Sequence, residues 1–169
     1  METQNISELS QIVGVFISFI GLYGIWYQLK KQKETILSQF IVDLNNSFIE
    51  NEGLKKVYHK LRNPEVHGYL SVDDRDFIVD YLTFFETLCI LHDKKTLDMS
   101  TINEMFAFRF FKAVNNDLIQ EIELEENGIF YTSLYKLYAE WEKFRIAKGL
   151  EIIDDENSLL KFATIKNFY

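Results

Sequence analysis

A chain of 169 residues that is 47% hydrophobic and 15% aromatic carries too much apolar surface to stay disordered, and it has room for one domain of ordinary size. Eighteen Lys and Arg against 26 Asp and Glu leave a net charge of −8, which repels phosphate and argues against an extensive nucleic-acid surface. A single Cys excludes an intrachain disulfide, and Cys89 inside Leu88-Cys89-Ile90-Leu91 reads as a reduced core residue.

Residues 1–8 read as a short extracytoplasmic N-terminus. No charge lies between Glu8 and Lys30, and at 1.5 Å per residue that stretch spans about 31 Å, close to a hydrocarbon core. Residues 9–29 are therefore expected to form one transmembrane helix. A secretory hydrophobic region fits less well, because Glu2 and Glu8 precede the stretch and no small-x-small cleavage site follows. A buried core helix is the other reading. Tyr23, Trp26 and Tyr27 mark an expected membrane interface together with Lys30 and Lys31, and the positive-inside rule then puts the remaining chain in the cytoplasm. The expected localisation is the inner membrane, single-pass, with the lipid bilayer as a partner.

Mostly polar and small residues recur along this stretch at alternating spacings of three and four, through Gln11, Gly14, Ser18, Gly21, Ile25, Gln28 and Gln32, and on to Thr35 and Gln39. Gly14 and Ser18 form a small-xxx-small pair, whose ordinary meaning is close packing of helices from neighbouring protomers. The seam continues in Gln where a simple coiled coil would carry Leu, Ile or Val. An uncharged polar stripe suits a water-filled lumen, so Gln11, Gly14, Ser18, Gly21, Gln28 and Gln32 are the expected pore-lining residues of a ring-shaped homo-oligomer.

Residues 30–169 are expected to form a bundle of four to five helices. The first helix continues from Lys30 to Phe48, with Ile36, Leu37, Phe40, Ile41, Leu44 and Phe48 on an apolar face. A short helix from Asn51 to Leu61 stops before Arg62-Asn63-Pro64. Ser71-Val72-Asp73-Asp74 reads as a capping box for a helix from Asp74 to His92, and Thr101-x-x-Glu104 opens the next, whose apolar pattern reaches Leu118. Glu121, Glu123, Glu125 and Glu126 read as a solvated run. After the break at Glu125-Glu126-Asn127-Gly128, a last long helix spans Ile129 to Lys148 and stops at Gly149. The tail from Leu150 onward has no decisive pattern.

Walker, HExxH, GxSxG and clustered Cys/His motifs are missing from the sequence, so no metal and no cofactor is expected. One constellation carries chemical meaning, Arg62-Asn63-Pro64-Glu65-Val66-His67. An Arg held near a His can stabilise a pentavalent phosphate and move a proton during metal-free RNA cleavage by the ribose 2′-OH. Arg62, Asn63 and His67 resemble the R-x4-6-H motif of the HEPN (higher eukaryotes and prokaryotes nucleotide-binding) family, which implies an all-helical fold. The motif departs from that family's pattern in containing Pro64 and in falling between the second and third helices, so a degenerate, non-enzymatic site is expected.

An N-terminal span, a small helical domain and a divergent R-x4-H together resemble the membrane accessory proteins of type VI-B, RNA-targeting CRISPR systems. That resemblance implies an oligomeric pore that strengthens antiphage defence by permeabilising or depolarising the inner membrane, functionally linked to an RNA-guided effector. Two alternatives stand beside it: a membrane-tethered HEPN ribonuclease with a composite site from two protomers, and a membrane-anchored scaffold that binds a partner protein.

Overall fold

The low Pro and Gly content and the helical apolar spacing are expressed directly, since no strand occurs among the described residues of this computed structural model and the fold is all-α. The backbone of residues 2–166 and the side chains of residues 21–164 are described. Helix α1 (Glu2–Glu50) is followed by α2 (Glu52–Arg62), α3 (Pro64–His67), α4 (Arg75–Asp93) and α5 (Met99–Val114). After them come the single turns α6 (Asp117–Ile119) and α7 (Glu125–Asn127), then α8 (Thr132–Ala147) and α9 (Leu159–Lys166). The chain divides into two compact units, one ending at Leu44 and the other beginning at Asn45.

In the first unit, the expectation of a membrane span is overturned. Among the described residues no helix is long and apolar enough to cross a membrane. Inner-membrane localisation is withdrawn on that finding. The expected interface residues Tyr23, Trp26 and Tyr27 are exposed on α1; the rings of Tyr23 and Trp26 lie 5.8 Å apart, and Lys30 Nζ sits 6.0 Å from the Trp26 ring. Residues 9–20 of the expected span, with Gln11, Gly14 and Ser18, lie outside the described side chains.

The second unit is organised by aromatic contacts. Phe48 at the end of α1 is 1% exposed and meets Tyr81 of α4 edge to face at 5.4 Å. The string continues through Tyr81 to Phe85 at 5.4 Å, Phe85 to Phe110 at 5.1 Å, and Phe110 to Trp141 at 4.7 Å, where the rings stack. Such pairs add about 0.5–1.5 kcal/mol each beyond the area they bury. Around this string α4 packs against α2, α5 and α8, and α9 packs against α8. Helix α2 lies close on α4 because residue 53 is glycine; a Cβ there would meet Phe77 Cδ1 at 2.8 Å.

Several element ends differ from expectation for local reasons. The capping box at Ser71 and Asp74 forms, yet it closes a 3-10 turn, Val72–Asp74, and α4 starts one residue later. Helix α5 begins at Met99 because Asp98 caps it, accepting from Thr101 N at 2.8 Å. It ends at Val114, since Asn116 caps a new turn by accepting from Ile119 N at 3.2 Å. Pro64 starts α3 at a position where its missing N–H costs nothing. The acidic run is not wholly solvated: Glu123 is 3% exposed and accepts from Arg75 Nε at 2.9 Å, Asn127 Nδ2 at 3.0 Å and the Tyr131 hydroxyl at 2.9 Å.

Asp74, 1% exposed, ties α2 to the start of α4. Its carboxylate pairs with Lys60 Nζ at 2.6 Å and Lys56 Nζ at 2.9 Å and accepts from Ser71 N at 3.0 Å. Burial alone would raise this carboxyl, but the lysines and the backbone N–H together hold it well below the usual carboxylate range. A depressed folded-state pKa means that the stabilisation is complete above the unfolded value of about 3.9 and is lost as pH falls towards the folded value. Asp74→Asn should therefore lower the melting temperature at neutral pH and flatten its decline below about pH 4, measured by circular dichroism melts across pH. A parallel acid decline in both proteins would show that another group governs it.

Candidate functional site

In an acidic chain, the C-terminal half of α2 and the short α3 gather positive and titratable groups. Lys55, His59 and Arg62 follow one another at i, i+4 and i+7 and so share one side of α2. Lys56 and Lys60 occupy the neighbouring stripe and are spent on Asp74. The α2 helix ends at Arg62, and Asn63 makes the corner: its N–H donates to His59 O at 2.9 Å, and its carbonyl accepts from Val66 N and His67 N. Gly68, with φ of +81°, lets the chain leave α3 directly after His67.

This corner brings His67 back onto α2. The His67 and His59 rings lie 4.8 Å apart between centroids, tilted by 40°. The His59 imidazole, partly buried, is pushed below its ordinary value first by burial and then by the positive potential of His67, Lys55 and Arg62. At neutral pH it is accordingly biased to the neutral form, which accepts a proton. The Arg62 guanidinium turns the other way along α2: Nη1 donates to the Tyr58 hydroxyl at 3.4 Å, with Cζ 6.0 Å from the Tyr58 ring.

Of the three motif residues, Arg62 and His67 are exposed and carry side-chain contacts to α2, Arg62 to Tyr58 and His67 to His59, while Asn63 acts through its backbone. His59, Tyr58 and Arg109 were missed by sequence reasoning. The first two had a signal, since His59 precedes Arg62 by one turn and Tyr58 stands four residues before it. Arg109 had none: it sits within Phe106-Ala107-Phe108-Arg109-Phe110-Phe111, and only the fold brings its Cζ to 5.3 Å from the Tyr58 ring. The remaining expected residues on α1, Gly21, Gln28 and Gln32, are exposed and belong to the other unit.

Elsewhere the titratable groups are structural. Burial pushes the Cys89 thiol up to about 11, which makes it a poor nucleophile. Among the described residues no group of His, Cys, Asp or Glu is arranged to hold a metal ion. Comparison with protein-family models, with curated proteins and with solved structures returns no match to this chain.

If His67 contributes to the low basicity of His59, His67→Gln should move the His59 titration upward. It should not reach the ordinary value of 6.5, because burial persists. The His59 ring proton shifts followed by NMR across pH measure this, and an unmoved titration would separate the two rings electrostatically.

Proposed function

We propose that this chain is a divergent HEPN-like helical protein whose α2–α3 corner binds RNA and cleaves it without a metal. The observation that carries the reading is the His59–His67 pair at 4.8 Å beside Arg62, on a positive face of an otherwise acidic chain. His59, biased neutral, takes the proton from a ribose 2′-OH as that oxygen attacks the adjoining phosphorus. Arg62, swinging back from the Tyr58 hydroxyl that it meets here, stabilises the charge of the pentavalent phosphate, and His67 returns a proton to the 5′-oxygen as its bond to phosphorus breaks, leaving a 2′,3′-cyclic phosphate. The pore reading required a span that the described residues do not supply, and it is not carried further.

Cleavage by the full-length protein should proceed in excess chelator, should spare 2′-deoxy substrates, and should fall by about 100-fold or more in Arg62→Ala and in His67→Ala. Labelled single-stranded RNA resolved on gels reports all three. No cleavage by the wild type, or full cleavage by the double variant, ends the reading.

A second property, self-association through α1, is favoured by a separate observation. Leu22, Ile25, Leu29 and Ile36 are each at least 56% exposed and share one side of the helix, an apolar strip that a monomer leaves in water. A second copy of this chain is the proposed occupant, and it would allow a site built from two protomers. Light scattering coupled to size-exclusion chromatography should find an oligomer at tens of micromolar, reduced to monomer by Ile25→Glu with Leu29→Glu. A monomeric wild type under those conditions removes the proposal.

A further inference from the structure

Four arginines occur in the chain, and two are consumed by the fold. Arg75 pairs with Glu123 and Glu126, and Arg145 donates to Asn103 and to the Glu151 carbonyl. Arg62 and Arg109 form no ion pair among the described residues, although the chain carries 26 Asp and Glu. They converge instead on one ring, Tyr58, at 6.0 Å and 5.3 Å from its centroid. Two guanidinium groups on the same ring repel each other, and an anion between them would reverse the sign of that interaction.

The space between them exists. An open pocket of about 290 Å³ is lined by Tyr58, Arg62, Met105, Phe108 and Arg109. Arg109 is held ready at its edge: its Cζ lies 4.5 Å from the Phe48 ring and 5.5 Å from Phe106, and Nη1 donates to Asn45 Oδ1 at 3.1 Å. That hydrogen bond uses one of five N–H donors and leaves the others for a ligand. Phe108 is 42% exposed and meets Tyr58 edge to face at 6.4 Å, so its open face is a platform for a planar ring. A volume near the lower bound of small-molecule sites has room for one phosphate and one base.

We propose that this pocket is a nucleotide subsite, holding a phosphate of single-stranded RNA between Arg62 and Arg109 and the attached base against Phe108. The proposal rests on the RNA reading above, with which it shares Arg62, and it adds Arg109 and Phe108 of α5 as binding residues. It also explains how an acidic protein engages RNA: the contact is one nucleotide deep and does not depend on a broad basic surface.

The test is calorimetric titration of the full-length protein with adenosine 5′-monophosphate, adenosine and inorganic phosphate. The monophosphate should bind with Kd of about 1 mM or tighter, and more tightly than either fragment. Arg109→Gln and Phe108→Ala should each weaken it by about 10-fold. Phe108 is exposed, so its variant reports even if Arg109→Gln does not fold. No binding by the wild type, or wild-type affinity in Phe108→Ala, overturns the subsite. Binding that depends on Arg109 and Phe108, in a protein that cleaves no RNA, upholds the subsite and removes the cleavage reading alone. Cleavage with no monophosphate binding and an unchanged KM in Phe108→Ala overturns the subsite and leaves the cleavage reading standing.

Discussion

The string of aromatic contacts from Phe48 to Trp141 is the interaction on which the second unit depends. Each ring is drawn from a different turn or helix, so the string fixes the end of α1, α4, α5 and α8 against one another through shape as well as through apolar burial. Its outer end also positions a charge. Phe48 touches Tyr58 at 6.2 Å and carries the Arg109 guanidinium over its face, so the ring that begins the core also orients the cation beside α2.

Charge is distributed on α2 by helical geometry. Lys56 and Lys60 lie on the stripe that faces Asp74 and are neutralised there, while Lys55, His59 and Arg62 lie on the adjacent stripe, with no ion pair among the described residues. The buried Asp74 thus does two things: it anchors α2 on α4, and it sorts the basic residues of α2 into a structural set and a set facing outward. A net charge of −8 does not describe such a surface, because screening beyond about 8 Å lets a local positive patch act on a ligand that the molecule as a whole repels.

Buried polar groups complete the fold at its far end. Asn115, 1% exposed, donates to the Ile153 carbonyl at 2.8 Å and accepts from Leu159 N at 3.0 Å. Gln120 donates to the carbonyls of Val114 and Asn157, and the Tyr138 hydroxyl bonds Ser158 Oγ at 3.0 Å. Asn115 and Gln120 satisfy backbone groups and Tyr138 a side-chain hydroxyl, so the region after α8 is pinned by residues 20 to 44 positions earlier in the chain.

The sequence by itself determined that the protein is all-α, because 3.6-residue apolar spacing is a local property that the helices inherit directly; Ile78, Tyr81, Leu82, Phe85, Leu88 and Cys89 are buried as that spacing requires. It also singled out Arg62 and His67, whose side chains meet different partners on α2, Tyr58 and His59. Charge-free length was a weaker guide: among the described residues no helix is long and apolar enough to cross a membrane. Only the tertiary structure decided that Pro64 opens a turn and folds His67 onto His59, that Glu123 is buried against Arg75, and that Arg109 reaches Tyr58 from another helix. The physical reason is separation along the chain. Contacts such as Arg109 with Asn45, 64 residues apart, leave no periodic trace in sequence and exist only once the helices have packed.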